Sequence, residues 1–402
     1  MKDSTKYIGL DVSKDFIAVA IADEGRNNPR YFGQIPNNEE SIRKLFKKLG
    51  EEECWLNVCY EAGPTGYGLY RFLTALGIEC CVVAPSLIPT RAGDRIKTDR
   101  RDAIRLAQLY RAGELTPIYI PTEEDEALRD LVRAREVTKE DQLRARHHLA
   151  KFLLRHEVKA PSHLKKKWTK IYHKWLNTVK FDNSALEIVF QEYLHTLDEI
   201  EQRLERLERA IHTEAMRSEH APVIEALQTL RGVKEITAVT LVVEVGTFKR
   251  FASARDFMGY TGLIPSEYSS GGSRYQGKIT KTGNSHVRRV LVESAWSYRH
   301  KPNISGDIKK RQQGQDATVQ RIAWKAQTRL HSKYARMAAK GKPHGKVIAA
   351  VARELAVSFG RLRRVPNREQ VVVTKSPKQR ESSVSVQMTV FLFQRLGSKA
   401  KV

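Results

Sequence analysis

The sequence predicts an α/β domain over residues 1–118, followed by a mainly helical remainder. Near the N-terminus, three short apolar segments are joined by turn-forming residues, as is typical of antiparallel strands. Helical and strand-like segments then alternate up to about residue 112. From residue 186 onward, a heptad pattern predicts a long helix. With 402 residues, of which 41% are hydrophobic, the chain is long enough for two or three domains with buried cores.

The elements of the first domain follow one another in a simple order. The predicted strands cover 7–12, 16–22, 31–35, a segment that ends at Glu61, and 80–83. The predicted helices begin near Asn38, cover 70–76 with Gly77 as the stop, and cover 99–112. Residues 23–28 have the composition of a hairpin turn. Three antiparallel strands followed by alternating helices and strands fit an RNase H-like α/β layout.

Four carboxylates stand at unusual places in this domain. Asp11 and Glu61 each end an apolar strand, and Asp99 and Asp102 are neighbours on one helix face. In an RNase H-like layout such residues meet at one edge of the sheet, and converging carboxylates require a cation. A hard divalent ion is the usual partner of oxygen ligands, and two such ions about 4 Å apart can stabilise the entering and leaving oxygens of a phosphate. The alternative is a solvated helix face whose acids are neutralised by Arg100 and Arg101.

The charge of the chain points to an anionic polymer as its partner. The net charge is +24, from 70 Lys and Arg residues against 46 Asp and Glu residues. Residues 271–369 hold 23 Lys and Arg residues against five Asp and Glu residues. Such a region suits phosphodiester contacts. The N-terminus lacks the apolar stretch of a signal peptide, no segment reaches the length of a membrane span, and the four cysteines fit no zinc site, so we expect free thiols in a reducing cytoplasm.

The middle region, 119–215, is predicted to be helical with a coiled-coil seam. The seam consists of apolar residues spaced alternately by three and four positions: Leu186, Phe190, Tyr193, Leu197, Ile200, Leu204, Leu207 and Ile211. The apolar residues of this seam could pack against either of two partner helices. One is the same helix of a second protomer, which we favour, and the other is the basic helix near 125–157.

A third, mainly helical part covers 216–365 and contains two glycine-rich motifs. Residues 230–238 resemble the hairpin of a helix-hairpin-helix element, whose backbone amides can approach a phosphate. We expect the Ser269-Ser270-Gly271-Gly272 segment to be a flexible loop that presents its hydroxyls. Basic candidates for nucleic-acid binding follow it: Arg274, Lys278, Lys281, Arg288 and Arg289. The tail, 366–402, with an apolar patch at 390–393, has no assigned role.

At these residues the chain resembles a DEDD-type transposase of the insertion-sequence-110 family, related to the Piv/MooV-like DNA invertases. The matching segments are 8–11 for the first Asp, 60–63 for the Glu, and 97–103 for the last two Asp. In the second domain, Gly-Leu-Ile-Pro at 262–265 leads to a serine before glycine, followed by Lys-Thr-Gly-Asn at 281–284 and by Arg288-Arg289. The family pattern places the nucleophile directly before the glycine, which selects Ser270 over Ser269.

This resemblance implies a RuvC-like first domain and a transposase domain with an essential serine. It further implies that Asp11, Glu61, Asp99 and Asp102 bind Mg²⁺ or Mn²⁺, and that Ser270 forms a covalent phosphoserine link to DNA. The resemblance also implies a structured noncoding guide RNA that pairs with double-stranded target and donor DNA. A dimer or tetramer in the bacterial or archaeal nucleoid is expected. Two alternatives stay open: a RuvC-like junction nuclease that acts by hydrolysis, and a non-catalytic RNA-binding scaffold.

Overall fold

The computed structural model describes residues 4–51, 54–89 and 97–362. The chain divides into two compact units, one up to Thr122 and the other from Glu123 onward. The first unit contains the predicted α/β domain, and the second contains both the predicted helical middle and the predicted third part. The tail predicted from residue 366, with its patch at 390–393, lies outside the described residues. Among the helices that the structure describes, none is long and apolar enough to cross a membrane.

The first unit is a mixed five-stranded sheet with helices. Its strands are β1 (Thr5–Val12), β2 (Phe16–Asp23), β3 (Arg30–Pro36), β4 (Trp55–Glu61) and β5 (Glu79–Val83). Its helices are α1 (Glu39–Gly50), α2 (Gly68–Ala75) and α3 (Asp99–Arg111). The strand order is β3-β2-β1-β4-β5, with β1 antiparallel to β2 and parallel to β4. This arrangement is consistent with the predicted RNase H-like layout.

The two faces of this sheet are built from side chains of different size. One face carries branched and aromatic residues that form a core with α1 and α2: Ile8, Leu10, Ile17, Val19, Ile21, Val58 and Tyr60. The opposite face of β2 carries only alanines at its buried positions, and these pack against alanines of α3: Ala18, Ala20, Ala22, Ala103 and Ala107. Because small residues let a helix backbone approach a sheet closely, α3 lies directly on the strands.

Local sequence signals explain where the helices begin and end. As predicted, α1 begins after Asn38, whose side chain accepts a hydrogen bond from Ser41 N at 2.9 Å. Gly77 ends the α2 segment in the left-handed region, with φ of 75°. Thr98 caps α3 by accepting a hydrogen bond from the Arg101 amide at 3.3 Å.

The four cysteines are free thiols, as expected.

The second unit is mainly helical and contains one small hairpin. Its helices are α4 (Glu123–Arg155), α5 (Lys170–Leu176), α6 (Ser184–Arg217), α7 (Ala221–Gln228), α8 (Glu235–Val245), α9 (Ala254–Tyr260), α10 (Ser285–Ala295), α11 (Gly306–Gln312), α12 (Ala317–Ala339) and α13 (His344–Leu362). The hairpin is formed by β6 (Pro265–Ser270) and β7 (Ser273–Ile279), which pair in antiparallel fashion. Helix α8 is buried along almost its whole length and lies at the centre of this unit's core.

The heptad seam of α6 is filled within the same chain. The buried seam residues of α6 are Phe190, Leu197, Leu204 and Ile211, and those of α4 include Leu128, Val132, Leu149 and Phe152. Interhelical ion pairs flank the seam: Arg135 contacts Glu208 at 2.6 Å, and Arg146 contacts Glu201 at 2.9 Å. The structure therefore shows the fold-back on the basic helix, and our preference for a second protomer at this seam was wrong.

Gly232, in the turn that resembled a helix-hairpin-helix element, has a packing role. It joins α7 and α8 and adopts φ of 81°. A Cβ atom at this position would lie 2.5 Å from the Ser294 carbonyl oxygen and 2.7 Å from Ser297 Oγ. The close approach of this turn to the end of α10 is thus sufficient to require glycine here.

Candidate active site

Two of the four carboxylates, Asp11 and Glu61, end neighbouring parallel strands. The register pairs Leu10 of β1 with Tyr60 of β4, so Asp11 and Glu61 hold the next equivalent positions. Asp11 lies two residues beyond Gly9 and therefore on the sheet face that packs against α3, because side chains alternate along a strand. Its neighbour Glu61 shares that face, and both side chains are partly buried.

Gly9 determines how closely α3 approaches these strand ends. A Cβ atom at Gly9 would lie 2.3 Å from the Ala103 carbonyl oxygen and 2.4 Å from the Ala107 amide nitrogen. No side chain larger than hydrogen fits between this strand and this helix. Asp99 and Asp102 occupy the first turn of α3, and the close packing brings that turn to the edge of the sheet where the strands end.

The pKa of Asp11 is influenced by the charges of the other three carboxylates. Burial is the largest cause that raises the pKa of Asp11 to about 6, and the negative charges of Asp99, Asp102 and Glu61 raise it further. The charge of Lys97 acts in the opposite direction, and its Nζ lies 4.0 Å from Asp102 Oδ2. The fold therefore places the strand-end acids and the acids of the first helical turn on the same side of the sheet, but among the described residues no three of the four bring ligand oxygens within 4.8 Å of one another.

The cluster has the chemistry of a divalent-cation site. Asp102 Oδ2 is a buried oxygen that accepts no hydrogen bond from any residue in the described part of the chain. A buried carboxylate oxygen without a hydrogen-bond donor is costly, and Lys97 Nζ, 4.0 Å away, is too distant to donate a hydrogen bond to it. Four carboxylates offer only hard oxygen ligands, which Mg²⁺ and Mn²⁺ accept. The residues present thus fit the ion that the sequence motif implies.

A tighter group of ligand-type atoms lies in the second unit but has another explanation. Single ligand atoms of His173, Asp198 and Glu201 lie within 4.8 Å of one another. Glu201 Oε1 already accepts hydrogen bonds from Gln142 Nε2 at 3.0 Å and from Arg146 Nη2 at 2.9 Å. These contacts belong to the interhelical ion pairs that flank the α6 seam.

Ser269 and Ser270 lie on a strand, which corrects the prediction of a flexible loop. Both residues belong to β6, and Ser270 pairs directly with Ser273 of β7. Only Gly271 and Gly272 remain to form the turn, with Gly271 at φ of 57°. Two glycines are enough for a two-residue hairpin connection, so the serines before them continue the ladder.

Alternation along the hairpin separates the two serines onto opposite faces. Ser269 lies on a charged face, where its Oγ donates to Glu267 Oε1 at 3.0 Å. Arg274 donates two hydrogen bonds to the same carboxylate, at 3.0 and 2.8 Å. These hydrogen bonds lower the pKa of Glu267 to about 2. Ser270 is exposed on the other face, and its hydroxyl makes no hydrogen bond to any residue that the structure describes.

The base of the hairpin is held by the glycine motifs that the sequence singled out. A Cβ atom at Gly262 would overlap the Thr282 backbone, and one at Gly283 would overlap the Tyr260 carbonyl. Arg288 Nη1 donates to the carbonyls of Thr261 at 3.1 Å and Thr282 at 3.0 Å. The two motifs therefore form one clasp that fixes where the hairpin leaves the helical core.

Beneath this clasp lies a buried carboxylate, that of Glu244, whose ion pair with a partly exposed arginine was not predicted from the sequence. Asn284 caps α10 and donates through Nδ2 to Glu244 Oε2 at 2.7 Å. Arg133 donates to both oxygens of Glu244, at 2.7 and 2.9 Å, and only 1% of the Glu244 side chain is exposed. Burial by itself raises the pKa of Glu244, but the Arg133 and Asn284 contacts outweigh it and hold this pKa below its ordinary value.

The five predicted nucleic-acid contacts fall into two groups. Arg274, Arg288 and Arg289 each bond to another group of the chain, although the Arg274 side chain stays exposed; Arg289 pairs with Glu136 at 2.9 Å. Lys278 and Lys281 are exposed, and neither forms an ion pair with a described residue. The two lysines are therefore the members of this set whose charge is available to a phosphate.

Three features of the two units were not predicted from the sequence. Gly9 carried a readable signal, because a glycine two residues before a strand-end acid permits a helix to pack there. The exposed pair Tyr268 and Tyr275 could also have been predicted, because side chains alternate between the two faces of a hairpin whose turn is Gly271-Gly272. The pairing of Glu244 with Arg133 was not readable, because more than a hundred residues separate them.

Comparison with known proteins places both parts of the chain among transposases. A family model described as "Transposase IS116/IS110/IS902 family" matches residues 224–309, which include Ser270. A second model, for DEDD transposases of the IS110 type and described as "Transposase", matches residues 8–157, which include all four carboxylates.

Curated relatives agree over most of the chain. The protein named "Putative transposase y4qE" from Sinorhizobium fredii is 46% identical over 351 residues, which are 87% of this chain and 86% of that protein. The "Transposase for insertion sequence element IS1533" from Leptospira borgpetersenii is 36% identical, over 84% of this chain and 97% of that protein. The corresponding transposase of element IS1328 from Yersinia enterocolitica is 25% identical, over 69% and 82%.

Proposed function

Because this chain belongs to the IS110 family of insertion-sequence transposases, we propose that it is a site-specific recombinase with a phosphoserine intermediate. Transposases are enzymes that act on DNA, and the DEDD family suggests a divalent metal. In our proposal Asp11, Glu61, Asp99 and Asp102 hold Mg²⁺ or Mn²⁺, and Ser270 is the nucleophile. The observation that supports the metal site most strongly is geometric: Asp11 and Glu61 end neighbouring parallel strands on the sheet face against which α3 packs, and α3 carries Asp99 and Asp102 in its first turn.

Ser270 is favoured over Ser269 by its surroundings. The Ser269 hydroxyl donates a hydrogen bond to Glu267. The pKa of Glu267 is strongly lowered, and its carboxylate also accepts hydrogen bonds from Arg274. Removing Ser269 from that network costs a charge-assisted hydrogen bond. The Ser270 hydroxyl carries no such cost and is exposed to an incoming phosphate.

The reaction is a pair of balanced phosphoryl transfers. Ser270 Oγ loses its proton and attacks a phosphorus, the bond from that phosphorus to one deoxyribose oxygen breaks, and the leaving sugar oxygen takes up a proton. The hydroxyl of an exchanged strand then attacks the phosphoserine and restores both the phosphodiester and the free serine. The bond energy is kept in the ester, so no ATP is required. A divalent cation bound by the four carboxylates would supply stabilisation of negative charge on the phosphate.

Ser270 requires help from outside its own hairpin face. A serine hydroxyl is a weak nucleophile until a base or a cation lowers its pKa. The side chains that share its face are uncharged: Ser266, Tyr268, Ser273 and Tyr275. We therefore assign the activation of Ser270 to the carboxylate site of the first unit, acting on the same phosphodiester in the assembled complex.

Guide RNA and two DNA duplexes are the proposed partners. The excess of basic residues in 271–369 supports binding of more than one nucleic acid. The exposed Lys278 and Lys281 continue that charge along the hairpin and its base. Pairing by a guide RNA then accounts for choice of site without base contacts from the protein.

We further propose a dimer or tetramer, because two duplexes must be cut in concert. Since α4 fills the seam of α6, the contact between protomers must use another surface. Helices α4, α5 and α6 offer exposed large apolar side chains, which are typical of interfaces: Val137, Leu143, Leu154, Ile171 and Ile188.

The decisive experiment is a denaturing gel of the full-length protein, its co-purified RNA and labelled DNA from the insertion site of its element. We expect a slow band that protease removes and that Ser270→Ala abolishes. Ser269→Ala is the matched control and is expected to retain the band, because its side chain faces the other way.

The same gel separates the competing functions. Cleavage without any adduct, retained in Ser270→Ala, would identify a hydrolytic junction nuclease. A parent protein that gives neither cleavage nor adduct in the gel, with transposition in cells and its dependence on divalent ions unchanged in Asp11→Asn, would support a non-catalytic RNA-binding scaffold. Treatment with ribonuclease before DNA is added is expected to prevent the adduct; an adduct of unchanged yield would refute RNA guidance.

A further inference from the structure

The hairpin face that carries Ser270 also carries two exposed tyrosines. Tyr268 of β6 and Tyr275 of β7 are directly paired across the strands, so their side chains project from the same face. Tyr268 is two residues from Ser270, a distance of about 7 Å along a strand. The pair thus lies beside the proposed nucleophile.

Packing within the protein does not explain these two side chains. Tyr268 is 72% exposed and Tyr275 is 67% exposed, although tyrosine usually buries most of its ring. Neither ring contacts another aromatic ring, and neither hydroxyl forms a hydrogen bond, among residues 4–51, 54–89 and 97–362. Both rings are available to a ligand.

The chemistry of the face selects the part of a nucleic acid that it can bind. The opposite face carries Glu267, Arg274 and Lys278, whereas the tyrosine face has no acidic or basic side chain. The hydroxyls of this face can donate hydrogen bonds to a phosphate, but the face supplies no positive charge to neutralise one. A nucleobase gains stacking on a tyrosine ring whatever its identity, because every base has a π-face.

We propose that Tyr268 and Tyr275 stack on an unpaired base of the DNA strand that Ser270 attacks, and so position the scissile phosphate at Ser270. This inference rests on the proposed function. The two tyrosines are positioning residues, and the ligand is a nucleotide outside a duplex, because a paired base hides its π-face within the stack. The clasp formed by Gly262, Gly283 and Arg288 fixes the base of the hairpin, so the platform is presented on a rigid support.

Binding of a single strand tests the proposal without any need for catalysis. The probe is a labelled oligothymidine, since stacking is tolerant of sequence, and the protein is the full chain carrying Ser270→Ala. We expect Tyr268→Ala and Tyr275→Ala each to weaken binding of the oligothymidine by about 5- to 150-fold. Tyr268→Phe and Tyr275→Phe are the matched controls and should bind as the parent does. The salt dependence should not change, because no charge is removed.

Each other outcome overturns the stacking role. Unchanged binding in both alanine variants would show that the rings touch no base. An equal loss for a fully paired duplex would show a general defect in nucleic-acid binding. A change of oligomeric state in light scattering, with binding per protomer unchanged, would assign the face to contact between copies of the chain.

A second arm keeps this inference separate from the function on which it rests. With Ser270 intact, both phenylalanine variants should still form the covalent adduct, and a loss in Tyr268→Phe or Tyr275→Phe would point to a phosphotyrosine link instead. If Ser270→Ala itself retains the adduct, the proposed nucleophile is wrong, and the binding assay still reports whether the tyrosines stack.

Discussion

Substitution of Gly9 by alanine tests the packing on which the carboxylate site depends. The added Cβ would lie 2.3 Å from the Ala103 carbonyl oxygen and 2.4 Å from the Ala107 amide nitrogen. Ordinary van der Waals contact begins near 3.4 Å, so α3 must retreat by about 1 Å. Both clashing atoms belong to the helix backbone, so no side chain can move aside to relieve them.

The expected cost has a structural part and a functional part. Forcing a methyl group into this contact should lower the free energy of unfolding by about 1–3 kcal/mol. The retreat also carries Asp99 and Asp102 away from Asp11, and a misplacement of about 1 Å can cost roughly 100-fold in rate. We expect weaker binding of Mn²⁺ in isothermal titration calorimetry and adduct formation reduced about 100-fold.

Gly50→Ala is the matched control in the same unit, because a Cβ there meets nothing within 4 Å. Gly50 ends α1, where alanine is tolerated or slightly stabilising. Chemical denaturation of the two variants side by side separates local overpacking from a general sensitivity to alanine. A Gly9→Ala protein as stable as Gly50→Ala, with unchanged Mn²⁺ affinity, would refute the close contact between β1 and α3.

Three further predictions concern charge. The pKa of Asp11 is raised from 3.8 to about 6. The contribution of Asp11 to stability is therefore full below about pH 4 and is lost as the pH rises through 6. With a chelator present, we expect Asp11→Asn to raise Tm at pH 8 and to remove this pH dependence in thermal scans. Lys278→Gln and Lys281→Gln should each reduce the slope of log binding constant against log salt by about 1 in titrations with duplex DNA. Arg133→Met should lower the free energy of unfolding by about 3 kcal/mol in urea, because Glu244 stays buried with its charge poorly paired.

Each of these predictions has its own internal check. Adding Mg²⁺ at pH 8 should stabilise the parent protein but not Asp11→Asn, and equal stabilisation would place the ion elsewhere. Arg289→Gln should leave the salt slope unchanged, because its guanidinium is already paired with Glu136. In the Arg133→Met background, Glu244→Leu should restore part of the lost stability; a further loss would show that Arg133 stabilises through packing alone.

The placement of the four carboxylates on one side of the sheet could be predicted because it follows from order along the chain. Strand ends and helix starts have local signals, such as the caps Asn38 and Thr98, and parallel neighbours end at the same edge of a sheet. The side on which α3 lies was also encoded, in Gly9 and in the alternating alanines of β2, although this signal is visible only once the strand register is known.

Other properties depended on contacts that no local pattern contains. Arg288 and Arg289 were predicted to contact nucleic acid, yet their partners are backbone carbonyls and Glu136, a residue far away in the sequence. The serines were expected on a loop because two glycines follow them. The strand continues through Ser270 because a tight turn consumes only Gly271 and Gly272, and the antiparallel partner stabilises the residues before it.

Ser269 and Ser270 differ in their hydrogen bonding because they occupy alternate positions along β6. Both are the same amino acid, and only their odd or even place along β6 decides which hydroxyl is committed to Glu267 and which is free. A one-residue slip of the pairing would exchange the two environments, whereas a slip of two would preserve them. Deletion of one residue between the clasp and the turn should therefore be far more damaging than deletion of two, even though it removes less of the protein.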